Sequence, residues 1–273
     1  MTGTIGTIAT APSTSTLPTL VEIMLEVART MGSVFEGTAT GGSTTSLIDT
    51  GLEMEADHFR GGTLWILDDC LKVATHDGNT VTFAEISNAV VAGVSYALTS
   101  ADYPKYLIKQ SVLDVLRFDE CLLKNDTLLV IANTEEYTLP AGVDNVYGVQ
   151  VAKNSSEPYS FTDHFYWKEY DGKLIFDRGR YPAVVDRIIR LWYLGKHGEI
   201  AETESIEASV PVKWLVWKSI VNIYRKKYVY LVKNSPEQVE LLNEAKENVR
   251  YAELTADKYE MRSGNPQPHF ANY

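Results

Sequence analysis

Residues 37–51 most constrain how this chain can be organised. They read Gly37-Thr-Ala-Thr-Gly-Gly-Ser-Thr-Thr-Ser-Leu-Ile-Asp-Thr-Gly51, a composition that holds no helix. Before them, Leu20, Val21, Met24, Leu25, Ala28 and Met31 recur at helical spacing. Pro18 stands near the first turn of that helix, which starts at Thr16 or Thr19, and Gly32 and Gly37 bracket its end. After them, the apolar residues come in short β-type runs. A helical period that gives way to a strand period at a Gly/Thr stretch predicts one fold interrupted by another.

The same stretch has the glycines and hydroxyls of a phosphate loop but lacks Gly-Lys-Ser/Thr, and Lys72 is the first lysine of the chain. That argues against a nucleotide site. Ser43 follows two glycines but does not stand in a Gly-x-Ser-x-Gly elbow. The histidines His58, His76, His164, His197 and His269 form no His-Glu-x-x-His motif, and there is no Cys-x-x-Cys. A carboxylate cluster drawn from Asp68, Asp69 and Asp163 stays open as a non-local cation site. Asp68-Asp69 and Glu135-Glu136 are adjacent in sequence, so on a strand each pair points to opposite faces. The expectation is therefore a protein that is not an enzyme, with no catalytic residues, no cofactor and no metal. Cys70 and Cys121 read as small buried apolar residues.

The chain has 273 residues, 45% of them hydrophobic, enough for a sizeable core in one large or two modest domains. Its 36 acidic against 25 basic residues give a formal charge of -11, which does not suit wrapping nucleic acid. It is compatible with a passage through which DNA slides without sticking. The N-terminus has neither the basic start nor the apolar core of a signal peptide. No run approaches the ~20 apolar residues of a membrane span. Without secretion, the Asn-x-Ser/Thr matches at Asn125 and Asn154 are chance.

The pattern along the chain predicts an α+β fold: a helical bundle of about four helices interrupted by β-rich insertions, each a small barrel or sandwich. Residues 1–18 read as a flexible, uncharged N-terminal arm. Residues 19–36, 101–122 and 208–262 supply the helical bundle. Residues 37–100 form the first β-rich insertion and 123–207 the second β-rich region. Residues 263–273 form an extended tail. In the first insertion, strands are expected at 44–48 and 63–67, with a turn at His76-Asp-Gly-Asn79 between Val73 and Val81. Residues 90–98 read as a further strand, although 89–97 also pass as a helix. A helix at 102–118 uses Tyr103, Tyr106, Leu107, Val112, Leu113 and Leu116 as its apolar positions. Strands follow at 127–131, 136–140, 146–151, 165–170, 173–176 and 185–193, with Asp171-Gly172 as a tight turn. Closing helices run over 210–231 and 235–261.

Arg225, Lys226 and Lys227 form the densest basic cluster, interleaved with Trp214, Trp217, Tyr224 and Tyr228. Two readings stay open: a basic face that meets acidic neighbours, or one that touches DNA or a partner ring. Arg178, Arg180, Arg187 and Arg190 pose the same question. The 16 tyrosines and 5 tryptophans suit interfaces as well as cores.

The order of elements resembles the adaptor, or head-to-tail connector, proteins of tailed bacteriophages, most nearly the tubular adaptor type of short-tailed phages. Thr40-Gly-Gly-Ser-Thr-Thr-Ser-Leu-Ile-Asp49 and Gly61-Gly-Thr-Leu-Trp-Ile66 resemble the start of their β insertion. Glu136-Tyr-Thr-Leu-Pro140 and Gly172-Lys-Leu-Ile-Phe176 resemble their second β region. Val210-Pro-Val-Lys-Trp-Leu-Val-Trp217 and Leu241-Leu-Asn-Glu-Ala-Lys-Glu247 resemble their paired C-terminal helices. The resemblance covers residues 17–262. It implies a virion protein of the neck, made in the host cytoplasm, that forms a ring with copies of itself, a dodecamer in that family. The ring would sit beneath the portal protein, extend the DNA channel and offer a platform to the tail or the next neck protein. Genomic DNA would pass without sequence-specific binding. The C-terminal segment would reach the portal, with Pro266, Pro268, His269, Phe270 and Tyr273 as docking residues. Arg225, Lys226 and Lys227 would touch DNA or a partner ring. Other expectations are a tail-completion, tail-tube or minor capsid protein, or a carbohydrate-binding or carbohydrate-processing β-domain protein.

Overall fold

The structure, a computed structural model, describes residues 17–156, 158–198, 200–206 and 210–260. Among them are four helices and several antiparallel sheets, an α+β fold in which no sheet closes into a barrel. The chain divides into two compact units. The first holds the described residues through Val115 together with 200–206 and 212–257; the second holds 116–198 with the remaining short pieces.

The first unit opens on helix α1 (Leu20–Thr30). Thr19 is its N-cap: Glu22 N–H donates to Thr19 Oγ1 at 3.3 Å, and Thr19 N–H donates to Glu22 Oε2 at 2.7 Å. This reciprocal capping box satisfies two backbone donors that a helix start leaves orphaned. Leu20, Ile23, Met24, Val27 and Ala28 are buried, following i, i+3, i+4, i+7, i+8. Ile23 and Val27 thus belong to the core stripe, whereas Val21 and Leu25 sit at its margin.

Strand β1 (Val34–Thr38) begins shortly after the helix, so the Gly/Thr stretch opens in strand. It continues into β2 (Gly41–Gly42) and β3 (Ser46–Ile48). Gly37 is needed for a close approach: a Cβ there would collide with the Tyr96 hydroxyl and stand 2.9 Å from Asp49 Oδ2. Those two groups are bonded, Tyr96 Oη donating to Asp49 Oδ2 at 2.6 Å in a buried setting. Burial, and then the carboxylate itself, push the Tyr96 phenol well above its usual range.

Strands β4 (Thr63–Ile66) and β5 (Asp69–Lys72) form a hairpin about Leu67 and Asp68. Leu67 adopts a left-handed φ of 53°, unusual for a branched apolar residue, so no turn is legible in the sequence there. Strands β6 (Thr75–Asp77) and β7 (Thr80–Thr82) flank the expected turn, with Gly78 at φ 55°. Strand β8 (Ser95–Thr99) occupies only the end of the apolar stretch expected from 90 onward, because Gly93 turns the chain at φ 94°. The eight strands make two open antiparallel sheets, ordered β1-β8-β4-β5 and β2-β3-β7-β6. Leu64, Ile66, Tyr96 and Leu98 from the first and Leu47 and Val81 from the second share one core with Phe59, Phe83 and Val90. A barrel needs the edge strands to pair, and here β1, β5, β2 and β6 each end a sheet.

Helix α2 (Lys105–Phe118) starts after Pro104. Its buried face is Ile108, Ser111, Val112, Val115 and Leu116; of the apolar positions read from sequence, Val112 and Leu116 lie on it, Leu107 and Leu113 are half-buried and Tyr106 is 74% exposed. Helices α3 (Val212–Asn234) and α4 (Val239–Glu260) complete the unit. Trp214, Leu215, Val216, Ser219, Ile220, Val221 and Ile223 bury the first half of α3, which packs on α1. Ala252 and Ala256 bury the second half of α4, with Tyr251 edge-on to Trp217 at 5.8 Å.

The second unit carries β9 (Cys121–Leu129), β10 (Glu136–Thr138), β11 (Val146–Ala152), β12 (Phe161–His164), β13 (Trp167–Tyr170), β14 (Lys173–Phe176) and β15 (Ile188–Gly195). They form antiparallel sheets ordered β12-β11-β15-β9 and β10-β14-β13. Asp171 and Gly172, both at positive φ, make the expected tight turn between β13 and β14. The strand expected over 165–170 is β13, which starts at Trp167; β12, in a different sheet, has no counterpart among the strands expected from the sequence. Tyr137, Leu174, Phe176, Val149, Ile189 and Leu191 share the core of this unit.

His164 lies against that core, 4.9 Å edge-on to Phe176. Burial lowers its pKa from the usual 6.5, partly offset by a backbone hydrogen bond with Arg180 and the charge of Asp177. The unfolded chain therefore takes up the proton first as pH falls. The stability held by neutral His164 is complete above 6.5 and is lost as pH drops from there toward the lower folded value. Chemical denaturation of wild type and His164→Gln at pH 7.5 and 5 is expected to show a smaller acid loss in the variant. Equal losses would mean that His164 does not couple to folding.

Candidate functional site

Two features of the first unit stand out: a long helical hairpin that is only half covered, and an open groove at its base. The hairpin is α3 and α4. Consecutive residues on a helix point about 100° apart, so Arg225, Lys226 and Lys227 face three directions. Arg225 Nη2 donates to Glu253 Oε1 of α4 at 2.6 Å. Lys226 Nζ donates to Asp114 Oδ2 of α2 at 2.9 Å and to Ser111 Oγ at 3.4 Å. Lys227 Nζ stands 3.8 Å from the centre of the Tyr103 ring. Burial lowers the pKa of that ammonium, and Asp102 opposes the shift. The cluster thus ties α3 to α4, to α2 and to the segment before α2. Pairs this exposed contribute on the order of 0–1 kcal/mol each, and they set the orientation of the helices more than their stability.

Beyond the cluster the hairpin loses its cover. Val229, Tyr230 and Val232 on α3, and Val239 and Leu241 on α4, are exposed, Tyr230 by 65%. The run Tyr-Val-Tyr-Leu-Val at 228–232 is apolar around the whole helix rather than along one stripe. That signal was present in the sequence.

The groove has a volume of about 1200 Å³. Helix α1 forms one wall with Val21, Leu25, Glu22, Glu26 and Arg29. The β4–β5 turn adds Leu67, Asp68 and Asp69, the segment 202–205 adds Glu202, and the start of α3 adds Val216 and Trp217. The 200–206 segment is held by backbone bonds, Leu20 N–H to the Glu204 carbonyl at 3.2 Å and Ile206 N–H to the Pro18 carbonyl at 2.8 Å. Glu202 accepts from Lys105 Nζ at 2.8 Å and Lys109 Nζ at 2.9 Å. Burial works to raise its pKa, but the two ammonium groups outweigh it and hold the carboxyl below its usual value. Behind the same lysines, burial pushes the Cys70 thiol up to about 12, so it is not a nucleophile near neutral pH. Glu26 and Asp68 have no ion-pair partner among the described residues. The groove is thus apolar in its walls, and at its rim the carboxylates Glu22, Glu26, Asp68, Asp69 and Glu202 outnumber the cations Arg29 and Lys213. No local motif encodes it, because its parts come from residues 17–30, 65–69, 95–97, 202–205 and 212–217.

The arginines of the second unit are separately engaged. Arg190 holds Asp126 through two bonds of 2.7 Å and stacks 3.7 Å over Phe161. Arg180 stacks 4.3 Å over Tyr166, and Nη1 of Arg187 is buried. Asp163 accepts from Gln150 Nε2 at 2.8 Å in this unit, whereas Asp68 and Asp69 belong to the first. Among the described residues no group of three His, Cys, Asp or Glu is placed to hold a metal ion. No described helix is long and apolar enough to cross a membrane. Pro266, Pro268, His269, Phe270, Tyr273 and residues 1–16 of the arm lie outside the described residues.

No protein-family model matches the chain, and no curated protein matches it in sequence.

Proposed function

We propose that this chain is a structural subunit of a bacteriophage neck: a head-to-tail adaptor that assembles with copies of itself into a ring, twelve in the family it resembles, beneath the portal. One observation carries the assembly part of this reading. The outer half of the α3–α4 hairpin exposes Val229, Tyr230, Val232, Val239 and Leu241, which nothing among the described residues covers. Apolar area of this kind is stabilised by association, at roughly 25 cal/mol per Å² buried. The placement at the portal rests on the resemblance in element order and on the loop and helix motifs quoted for it. The formal charge of -11 suits a channel wall on which DNA does not stick. In this reading the role is assembly rather than turnover, and the tail at 263–273 is the portal-docking element.

An electron-microscopy map of the particle neck tests the placement. A ring of this chain between portal and tail is the expected result, and its location in the tail tube or capsid would favour another virion role. Removing residues 263–273 is expected to weaken binding to isolated portal rings at least tenfold. Unchanged binding would remove the tail from the docking surface.

A further inference from the structure

We infer that the tip of the helical hairpin of one copy seats in the acidic groove along α1 of the next copy, and that this contact builds the ring. The inference rests on the ring reading above and names its interface. On α3, Val229, Val232 and Lys233 follow i, i+3, i+4 and share one face, with exposed Tyr230 beside it. Lys233 has no ion-pair partner among the described residues, unlike Arg225 and Lys226. The tip face is therefore apolar with one cation. The groove is its complement: apolar walls at Val21, Leu25, Val216 and Trp217, and unpaired carboxylates at Glu26 and Asp68. Charge also sets the orientation. The α4 limb of the tip carries Glu237 and Glu240, so only the α3 face matches an acidic rim.

Both surfaces lie on one helix. Trp217 lines the groove, and Val232 lies fifteen residues further along α3, about 22 Å at 1.5 Å per residue. A tip cannot fold back along its own rigid helix into the groove at that helix's base. The partner must be a second molecule. Because tip and groove are different surfaces, the contact is heterologous: each copy gives a tip and receives one, and the series closes into a ring when the rotation permits.

The test uses the full chain and mass photometry or sedimentation across concentration. A tip variant, Val232→Glu, and a groove variant, Glu26→Lys with Asp68→Lys, alter exposed side chains, and circular dichroism checks their folding. Each alone is expected to raise the midpoint of self-association at least tenfold. Mixed together, they are expected to form a one-to-one heterodimer and nothing larger, because only one tip and one groove remain intact. Lys233→Glu is expected to weaken assembly, and Glu26→Lys in the same chain to recover it. Rings that survive Val232→Glu would overturn this contact while leaving the ring reading standing. Loss of assembly in both variants with no mixed dimer would overturn it too. So would assembly that depends on residues 1–16 but not on Val232, which would make the arm the occupant of the groove. A wild-type chain that stays monomeric also overturns it, and the neck map then decides the adaptor role separately.

Discussion

Phe176→Ala is expected to cost the second unit about 3–5 kcal/mol, the range for truncating a buried aromatic. Phe176 is 2% exposed and ends β14. Its ring meets Tyr137 edge-on at 5.7 Å and His164 edge-on at 4.9 Å. Removing it leaves both neighbours facing a void and takes apolar contact from Leu174 and Ile189 in the same core. Tyr137 also anchors the loop beyond β9, its hydroxyl accepting from Ile131 N–H at 3.0 Å, so a shifted ring loosens that loop. The chain has two compact units, so unfolding should be followed by a probe local to each. Hydrogen exchange is expected to rise at β10, β11, β14 and β15 and to stay unchanged at β3, β4, β7 and β8. A loss under about 1 kcal/mol would mean that the site collapses around the missing ring.

Gly62→Ala is expected to be as damaging to the first unit, at about 3 kcal/mol or more. A Cβ at this position would overlap the backbone oxygen of Thr99 and stand 2.8 Å from that of Ser100. Neither is the end of a flexible side chain, so the backbone before β4 must part from the end of β8. That parting breaks a compact polar knot. Thr63 N–H donates to Thr99 Oγ1 at 2.9 Å, and both Thr63 Oγ1 and Thr99 Oγ1 donate to the Tyr103 carbonyl, at 3.0 and 2.8 Å. Gly61→Ala is the matched control. Its Cβ would meet only the Ala101 Cβ at 3.9 Å, and its cost is the positive φ of 85°, about 1–2 kcal/mol. Denaturant titration of the two variants is expected to rank Gly62→Ala well below Gly61→Ala. The reverse order would mean that the strands give way more easily than this packing suggests.

Gly61 and Gly62 are also where sequence reading stops. The two glycines look alike in the sequence, and only the path of β8 past them makes one indispensable for space and the other for φ. The hairpin at Leu67 is a second case. Nothing in a branched apolar residue signals a left-handed turn, so strand 63–67 reads straight through it. Where a turn is carried by residues that favour positive φ, as at Gly78 and at Asp171-Gly172, the reading and the structure agree. The two sheets of the first unit show the same limit at larger scale: alternation marks the strands, but whether edge strands meet depends on pairing partners far apart in the chain.

The candidate site divides in the same way. The exposed tip left a signal in the sequence that went unread, an apolar run around a whole helix at 228–232. The basic cluster was legible as charge but not as contact, because its partners Glu253, Asp114 and Tyr103 come from three separate places. The groove was not legible at all.

By itself the sequence determined the helices, most of the strands and the switch of period at the Gly/Thr stretch. These follow from local rules of spacing, capping and turn chemistry, which act within a few residues. Tertiary structure alone decided that the sheets stay open, that three consecutive cations serve three different neighbours, and that an acidic groove lies at one end of α3 and an uncovered apolar tip at the other. Those features depend on which distant segments come to lie side by side, and no local pattern carries that information.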